Sequence, residues 1–262
     1  MAPVYAIGDI HGQLDMLNQA LGLIAADGGA DARVVFLGDY TDRGPDSRGV
    51  IDALIAGRDA GRDWVFLKGN HDRMFSGFVR DGIEHDAQVR SGISWLNARL
   101  GGGKTLASYG LEGEMHFTPH AKGQPERLAH FLGPAGRIER GALQAIAASA
   151  VPGAHLDFID ALPLWHQTDD LLFVHAGLRP GIALEDQTEN DLIWIREGFV
   201  DSDSDFGRLV VHGHTALDHP QHFGNRIDLD GGAGYGRPLI PAVFEGRDCW
   251  LLTDQGRVPL TP

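Results

Sequence analysis

Residues 33–44 read RVVFLGDYTDRG: an apolar run rich in β-branched and aromatic residues, broken at Gly38 and followed at once by charged side chains. A run this short and uniformly apolar, bounded by glycine, predicts a strand buried on both faces. Four more stretches have the same form. VYAI (4–7) leads into Gly8-Asp9-Ile10-His11-Gly12, WVFLK (64–68) into Gly69-Asn70-His71-Asp72, LLFV (171–174) into His175-Ala176-Gly177, and RLVV (208–211) into His212-Gly213-His214. Helical stretches, Leu14 to Ala26 and Ser47 to Ala60, separate the first three runs. Asp9, Asp39 and Asn70 therefore recur 30 and 31 residues apart, the length of a βαβ unit. The polar clusters all fall at the carboxyl ends of strands, where open α/β sheets place their ligands.

Outside these runs the rhythm changes. From Met74 to about Gly153 the chain reads as helical and loop-rich, with Trp95-Leu96-Asn97, a triple glycine at 101–103 and a helix candidate from Leu143 to Ala150. This stretch departs from the strand pattern and returns to it, so it is expected to be a helical cap insertion (about 74–153) over the site of a single domain spanning 1–262. Arg226 to Leu229, Leu239 to Phe244 and Cys249 to Leu252 read as further strands, suggesting a second sheet near the C-terminus.

Composition narrows the chemistry. One cysteine in 262 residues permits neither an internal disulfide nor a thiolate metal site, so any metal is held by His, Asp, Glu or Asn. The N-terminus lacks a basic leader and no run reaches the roughly 18 apolar residues of a membrane span, so a soluble, cytoplasmic chain without a membrane partner is expected. A formal net charge of -14 argues against nucleic acid as a partner. The 36 glycines imply many tight turns. Oligomeric state is not legible.

Residues two apart at a strand end project to one face, so Asp9 and His11 can converge on one ion. Asp39, Asn70, His175 and His214 occupy equivalent strand ends. Two carboxylates, one amide oxygen and three imidazoles form an oxygen and nitrogen set suited to Mn, Fe or Zn, and a dinuclear centre is the natural reading.

In this order and spacing, GDIHG (8–12), GDYTDRG (38–44), GNHD (69–72), HAG (175–177) and HGHT (212–215) resemble the phosphoprotein phosphatase family of metal-dependent Ser/Thr phosphatases, within the calcineurin-like metallophosphoesterases. IWIRE (193–197) is similar to the tryptophan-x-arginine-glutamate segment of bacterial and phage members. The resemblance implies an α/β fold, α+β by some schemes: a four-layer αββα sandwich with metals at the strand ends. It implies that Asp9 and His11 hold one divalent ion together with Asp39, which bridges to a second held by Asn70, His175 and His214, manganese being the first choice and iron or zinc accepting the same ligands. His212 does not match a family ligand and is expected behind the ligands or in packing. Arg43 and Arg196 match the arginines that grip phosphate, His71 the general acid, and Asp42 the carboxylate that orients it and raises its pKa. The implied reaction is hydrolysis of phosphoseryl, phosphothreonyl or phosphotyrosyl proteins or small phosphoesters by direct attack of a hydroxide bridging the two ions. The alternative, a symmetrical diadenosine tetraphosphate hydrolase, belongs to relatives that as a rule lack the aspartate found here as Asp42.

Other signals carry less. Gly101-Gly102-Gly103-Lys104-Thr105 has Ala98 where a P-loop requires glycine, and reads as a flexible turn of the cap. Asp201 to Asp205 alternates acids but lacks the later positions of a calcium loop, and reads as solvated. His116, His120, His219 and His222 read as surface residues and Cys249 as core. Asp228 to Gly236 is a glycine-rich segment where eukaryotic phosphatases carry a cysteine-containing loop, and its glycines suggest close backbone approach to the site.

Overall fold

The computed structural model describes residues 2–119 and 124–262, so His120 lies outside the described residues. Along the chain run β1 (Val4–Ile7), α1 (Leu14–Gly28), β2 (Arg33–Phe36), α2 (Ser47–Asp59), β3 (Trp64–Phe66) and α3 (Asn70–Asp81). The next stretch holds α4 (Gly102–Ser108), β4 (Glu114–Thr118), β5 (Arg127–Gly133), β6 (Gly136–Glu139), α5 (Arg140–Ala150) and α6 (Gly153–Asp160). After it come β7 (Trp165–Gln167), β8 (Leu171–Val174), α7 (Glu189–Trp194), β9 (Leu209–His212), β10 (Gln221–His222), β11 (Arg226–Asp228), β12 (Ala242–Glu245), β13 (Asp248–Thr253) and β14 (Gly256–Pro259).

Two sheets pack face to face, one ordered β14-β13-β12-β1-β2-β3 and the other β10-β11-β9-β8-β7. Strands β1, β2 and β3 run parallel, as do β8, β9 and β11. Side-chain alternation assigns the layers. Val35 and Leu37 meet Phe173 and Val211 between the sheets, whereas Val34 and Phe36 turn outward to the core beneath α1, α2 and α3. On the far side Leu172, Val174 and Val210 pack against Leu192 and Ile193 of α7. Both faces of each central strand are thus covered, which is why these runs show no polar alternation. The result is an αββα sandwich.

The later strands do not form a C-terminal sheet of their own. β12 pairs antiparallel with β1, and β13 and β14 continue that sheet outward, while β11 joins β9 in the other sheet. This placement covers the free edge of β1 and buries Ala242 and Phe244 between the sheets.

Residues 74–153, the stretch expected to be a helical cap insertion and called the insertion below, carry α4 and α5 and, in addition to what the sequence predicts, a three-stranded antiparallel sheet of β4, β5 and β6. Its pattern is masked by a bulge: His116 pairs with His130, but Phe117 pairs with Leu128, leaving Ala129 as the extra residue. Leu128 and Phe131, three apart, therefore both reach the core, a spacing that mimics a helix. Among the described residues no helix is long and apolar enough to cross a membrane.

Candidate active site

The carboxyl ends of β1, β2, β3, β8 and β9 meet at one end of the sandwich, and the backbone ties them together. Ile10 and His11 donate their N–H groups to Asp39 O at 3.1 and 2.8 Å. His71 N donates to Asp39 Oδ1 at 2.9 Å, and His214 N to both oxygens of Asp9 at 3.1 and 3.2 Å. Among the described residues, the only non-glycine positions with positive φ are His11, Asp39, Asp42, Arg43 and His214. All five are sequence-predicted site residues. Strained left-handed backbone persists only where surroundings enforce it, and it collects at functional sites.

Tautomers follow from the outer hydrogen bonds. His11 donates from Nδ1 to Thr41 O at 2.8 Å and His175 from Nδ1 to Leu37 O at 2.9 Å, leaving a lone pair on each Nε2. His214 donates from Nε2 to Trp194 O at 3.2 Å, leaving Nδ1. The lone pairs face acceptors. His175 Nε2 lies 3.0 Å from Asn70 Oδ1 and 3.4 Å from Asp39 Oδ1, and His11 Nε2 lies 3.6 Å from Asp39 Oδ2 and 3.9 Å from Asp9 Oδ2. Imidazole lone pairs, carboxylate oxygens and an amide oxygen converging in this way fit a metal centre. Ligand atoms of Asp39, His175 and His214 all lie within 4.8 Å of one another, as do those of His11, Asp39 and His71. His71, rather than Asp9, thus completes the tighter group beside His11.

Burial sets the charges. It holds the imidazoles of His11 and His214 well below their ordinary range and drops His175 to about 3, which keeps their lone pairs free. Burial and neighbouring acids push the carboxyls of Asp9, beside Asp230 and Asp39, and of Asp39, beside Asp72, well up. A cation between them removes that conflict.

His71 and Asp42 form the expected pair, with Nδ1 2.6 Å from Oδ2. The expected rise in the His71 pKa is not found. Burial, followed by the charge of Arg43, pushes it well down, and burial pushes the Asp42 carboxyl up against the hydrogen bonds of Thr105 and Trp95 that hold it as a carboxylate. Arg43 sets its guanidinium against both rings, Nη1 2.5 Å from His11 Nε2 and Nη2 3.0 Å from His71 Nε2. Arg196 donates to His214 O at 2.9 Å and lines the same cleft of about 370 Å³. Asp39, Asn70, His71 and His214 line it too, and Gln88, Val89, Arg90 and Leu100 of the insertion supply a wall.

His212 stands apart from this group. Its Nε2 faces Arg226 Nη1 at 3.2 Å and its ring packs on Phe199. The glycine-rich segment does approach the site: a Cβ on Gly234 would fall 2.5 Å from His11 Cδ2. Gly101 and Gly102 are buried at the start of α4, so the segment expected to be a flexible turn of the cap is a packed helix entry. His116 stacks on His130 with ring centroids 4.5 Å apart, away from this cluster.

Several buried site residues escape the sequence reading. Asp72 accepts the N–H groups of Asp39, Tyr40 and Gly69 at 2.8–3.0 Å, locking the β2 turn to the start of α3. An acid at the third position of a helix is a recognisable signal for such a reach back to the cap. Asp228 and Asp230, at the end of β11, and Trp95 and Thr105, in the insertion, carry no comparable signal.

A 72-residue stretch, 27% of this chain, is 39% identical to a Caenorhabditis elegans protein named provisionally as a serine/threonine-protein phosphatase, and it spans only 19% of that protein's length. The fold is similar to a crystal structure titled, provisionally, a diadenosine tetraphosphatase, with TM-score 0.60, 20% identity, and coverage of 99% of this chain and 94% of that one. It is also similar to a cold-active protein tyrosine phosphatase, with TM-score 0.61, 17% identity, and coverage of 100% and 79%. Residues 2–232 match the calcineurin-like phosphoesterase family, and the chain belongs to it.

Proposed function

We propose that the protein is a phosphomonoesterase acting on phosphoseryl and phosphothreonyl proteins, with phosphotyrosyl groups and small phosphoesters also within its reach. The observation that carries this reading is the 2.6 Å contact between His71 Nδ1 and Asp42 Oδ2, which leaves His71 Nε2 at the cleft beside Arg43. Asp9, His11, Asp39, Asn70, His175 and His214 would hold two divalent ions, manganese first among Mn, Fe and Zn. Such ions, when bound, would supply Lewis-acid charge and make a hydroxide nucleophile available near neutral pH.

The chain's own groups do the rest. Arg43 and Arg196 take the phosphoryl oxygens, the planar guanidinium suiting two at once. An entering phosphoryl dianion draws Arg43 off His71 and adds negative charge beside it, both of which favour the imidazolium that burial and Arg43 otherwise suppress. His71 Nε2 then gives its proton to the departing alkoxide, a poor leaving group without it. Asp42 keeps Nδ1 protonated and the ring aimed.

The reading is tested by assaying the Mn-loaded protein on phosphoseryl, phosphothreonyl and phosphotyrosyl peptides and on diadenosine tetraphosphate. Monoesters are expected to be preferred. A higher kcat/KM on the dinucleotide would establish the alternative, a symmetrical diadenosine tetraphosphate hydrolase.

A further inference from the structure

Asp42 is fully buried, and three donors from three parts of the chain converge on its carboxylate. His71 Nδ1, near the start of α3, reaches Oδ2 at 2.6 Å; Trp95 Nε1 donates to the same oxygen at 2.7 Å; Thr105 Oγ1, from α4, donates to Oδ1 at 2.7 Å. The Thr105 hydroxyl also accepts from Asp42 N at 2.8 Å, so one side chain grips both the carboxylate and the backbone of the same residue. That backbone has φ 75° and needs such a grip. Donors on both oxygens leave the carboxylate no free rotation, and its plane fixes the direction of the imidazole.

The insertion is shaped around this contact. Phe75 and Phe78 of α3 pack on the Trp95 ring at 6.1 and 5.0 Å. A Cβ on Gly102 would lie 2.4 Å from that ring, and one on Gly101 would lie 2.2 Å from Arg43 N. The glycines beside Lys104 thus let α4 and Trp95 close on the Asp42-Arg43 turn.

We propose that Trp95 and Thr105 are positioning residues that aim His71 through Asp42, so that the 74–153 insertion governs which leaving groups the site can expel. This rests on the proton-donor reading of His71. A misaimed acid harms substrates whose leaving group needs a proton, and spares those whose leaving group does not.

The test compares kcat and KM of the Mn-loaded protein on a phosphoseryl peptide and on p-nitrophenyl phosphate for Thr105→Val, Thr105→Ser, Trp95→Phe and His71→Asn. Thr105→Val and Trp95→Phe should lower kcat on the peptide about tenfold or more and on the aryl ester by less than about threefold, with KM unchanged. Thr105→Ser, which keeps the hydroxyl, should restore the peptide rate. If His71→Asn shows the split between substrates while Thr105→Val and Trp95→Phe depress both equally or neither, the positioning role is overturned and the acid role stands. If His71→Asn itself depresses both substrates equally, the acid role falls and the positioning role with it. Should Trp95→Phe fail to fold, the Thr105→Val and Thr105→Ser pair decides alone. The indole N–H resonance lost in Trp95→Phe should be protected from exchange in the parent; rapid exchange would also overturn the proposal.

Discussion

His175 Nε2 lies 3.0 Å from Asn70 Oδ1 while its Nδ1 donates to Leu37 O, so two acceptors face each other in a fully buried space. A cation between these groups would satisfy that contact together with the adjacent Asp39 oxygen at 3.4 Å. Divalent metal should therefore bind the folded chain far better than the unfolded one. At free metal a hundredfold above Kd, the stabilisation is about 2.7 kcal/mol, or a rise in Tm of about 5–10 °C for a chain of this size. Differential scanning fluorimetry with Mn and with chelator, alongside metal analysis of Asp39→Asn, checks this. An unchanged Tm together with full metal retention in Asp39→Asn would remove Asp39 and its neighbours as ligands.

Arg43 has φ 62° although it is not glycine, and its guanidinium lies against His11 and His71. Left-handed backbone costs a residue with a Cβ about 1–2 kcal/mol, so Arg43→Gly relieves strain while deleting the proposed phosphate-binding group. Stability in chelator should stay within about 1 kcal/mol of the parent, because glycine's extra freedom in the unfolded chain offsets part of the relief. Turnover should fall by about 100-fold or more. Chemical denaturation and kcat measurements separate the two. A stability loss above about 3 kcal/mol, at the scale of a broken buried network, would mark Arg43 as a structural tie instead.

The parts of this architecture that could be read in advance are those fixed by neighbours in sequence. Val34 and Phe36 face the helices while Val35 and Leu37 face the second sheet, so RVVFL is apolar throughout and its end at Gly38-Asp39 locates the site. Pairings between distant segments leave no such trace. Nothing local in AVFE at 242–245 says that it lies beside β1, and the bulge at Ala129 hides β5 by placing Leu128 and Phe131 at helical spacing. The same holds at the site. Asp42 and His71 are visible as a pair, but the depressed His71 pKa comes from burial and Arg43, and Trp95 and Thr105 reach Asp42 only through the packing of the insertion.

Gly234 sits against the site, where a methyl group would come within 2.5 Å of His11 Cδ2 and 3.0 Å of Arg43 Cδ. The His11 ring cannot retreat freely, because Nδ1 is anchored on Thr41 O. Gly234→Ala should therefore tilt a proposed metal ligand and lower metal affinity or kcat by about 10–100-fold, the usual cost of disturbing a ligand's surroundings. Metal titration and turnover give the readout, with Tm in chelator as control. Affinity and rate equal to the parent's would show that the turn at 233–235 yields and that the glycine is dispensable.

Far from the cleft, Arg257 joins the last hairpin to the first helix. Its Nε and Nη2 meet Asp27 at 2.9 and 2.8 Å, Nη1 meets Glu245 at 2.5 Å, and Tyr5 OH donates to Asp27 at 2.7 Å. The Arg257 hydrogen bonds, with that of Tyr5, hold the Asp27 carboxyl below its ordinary value despite partial burial. A carboxyl depressed in the folded state contributes stability above its unfolded pKa, near 3.9 by reference, and that contribution is lost as pH falls through the lower folded value. Arg257→Ala should thus cost about 1 kcal/mol at pH 7, the scale of a good surface network. The gap between parent and variant should narrow below about pH 4 as Asp27 protonates in both. Urea denaturation from pH 7 to 3 measures it. A gap that does not change with pH would mean that Arg257 acts by lying over the Trp250 ring, 5.7 Å away, and not through the Asp27 charge.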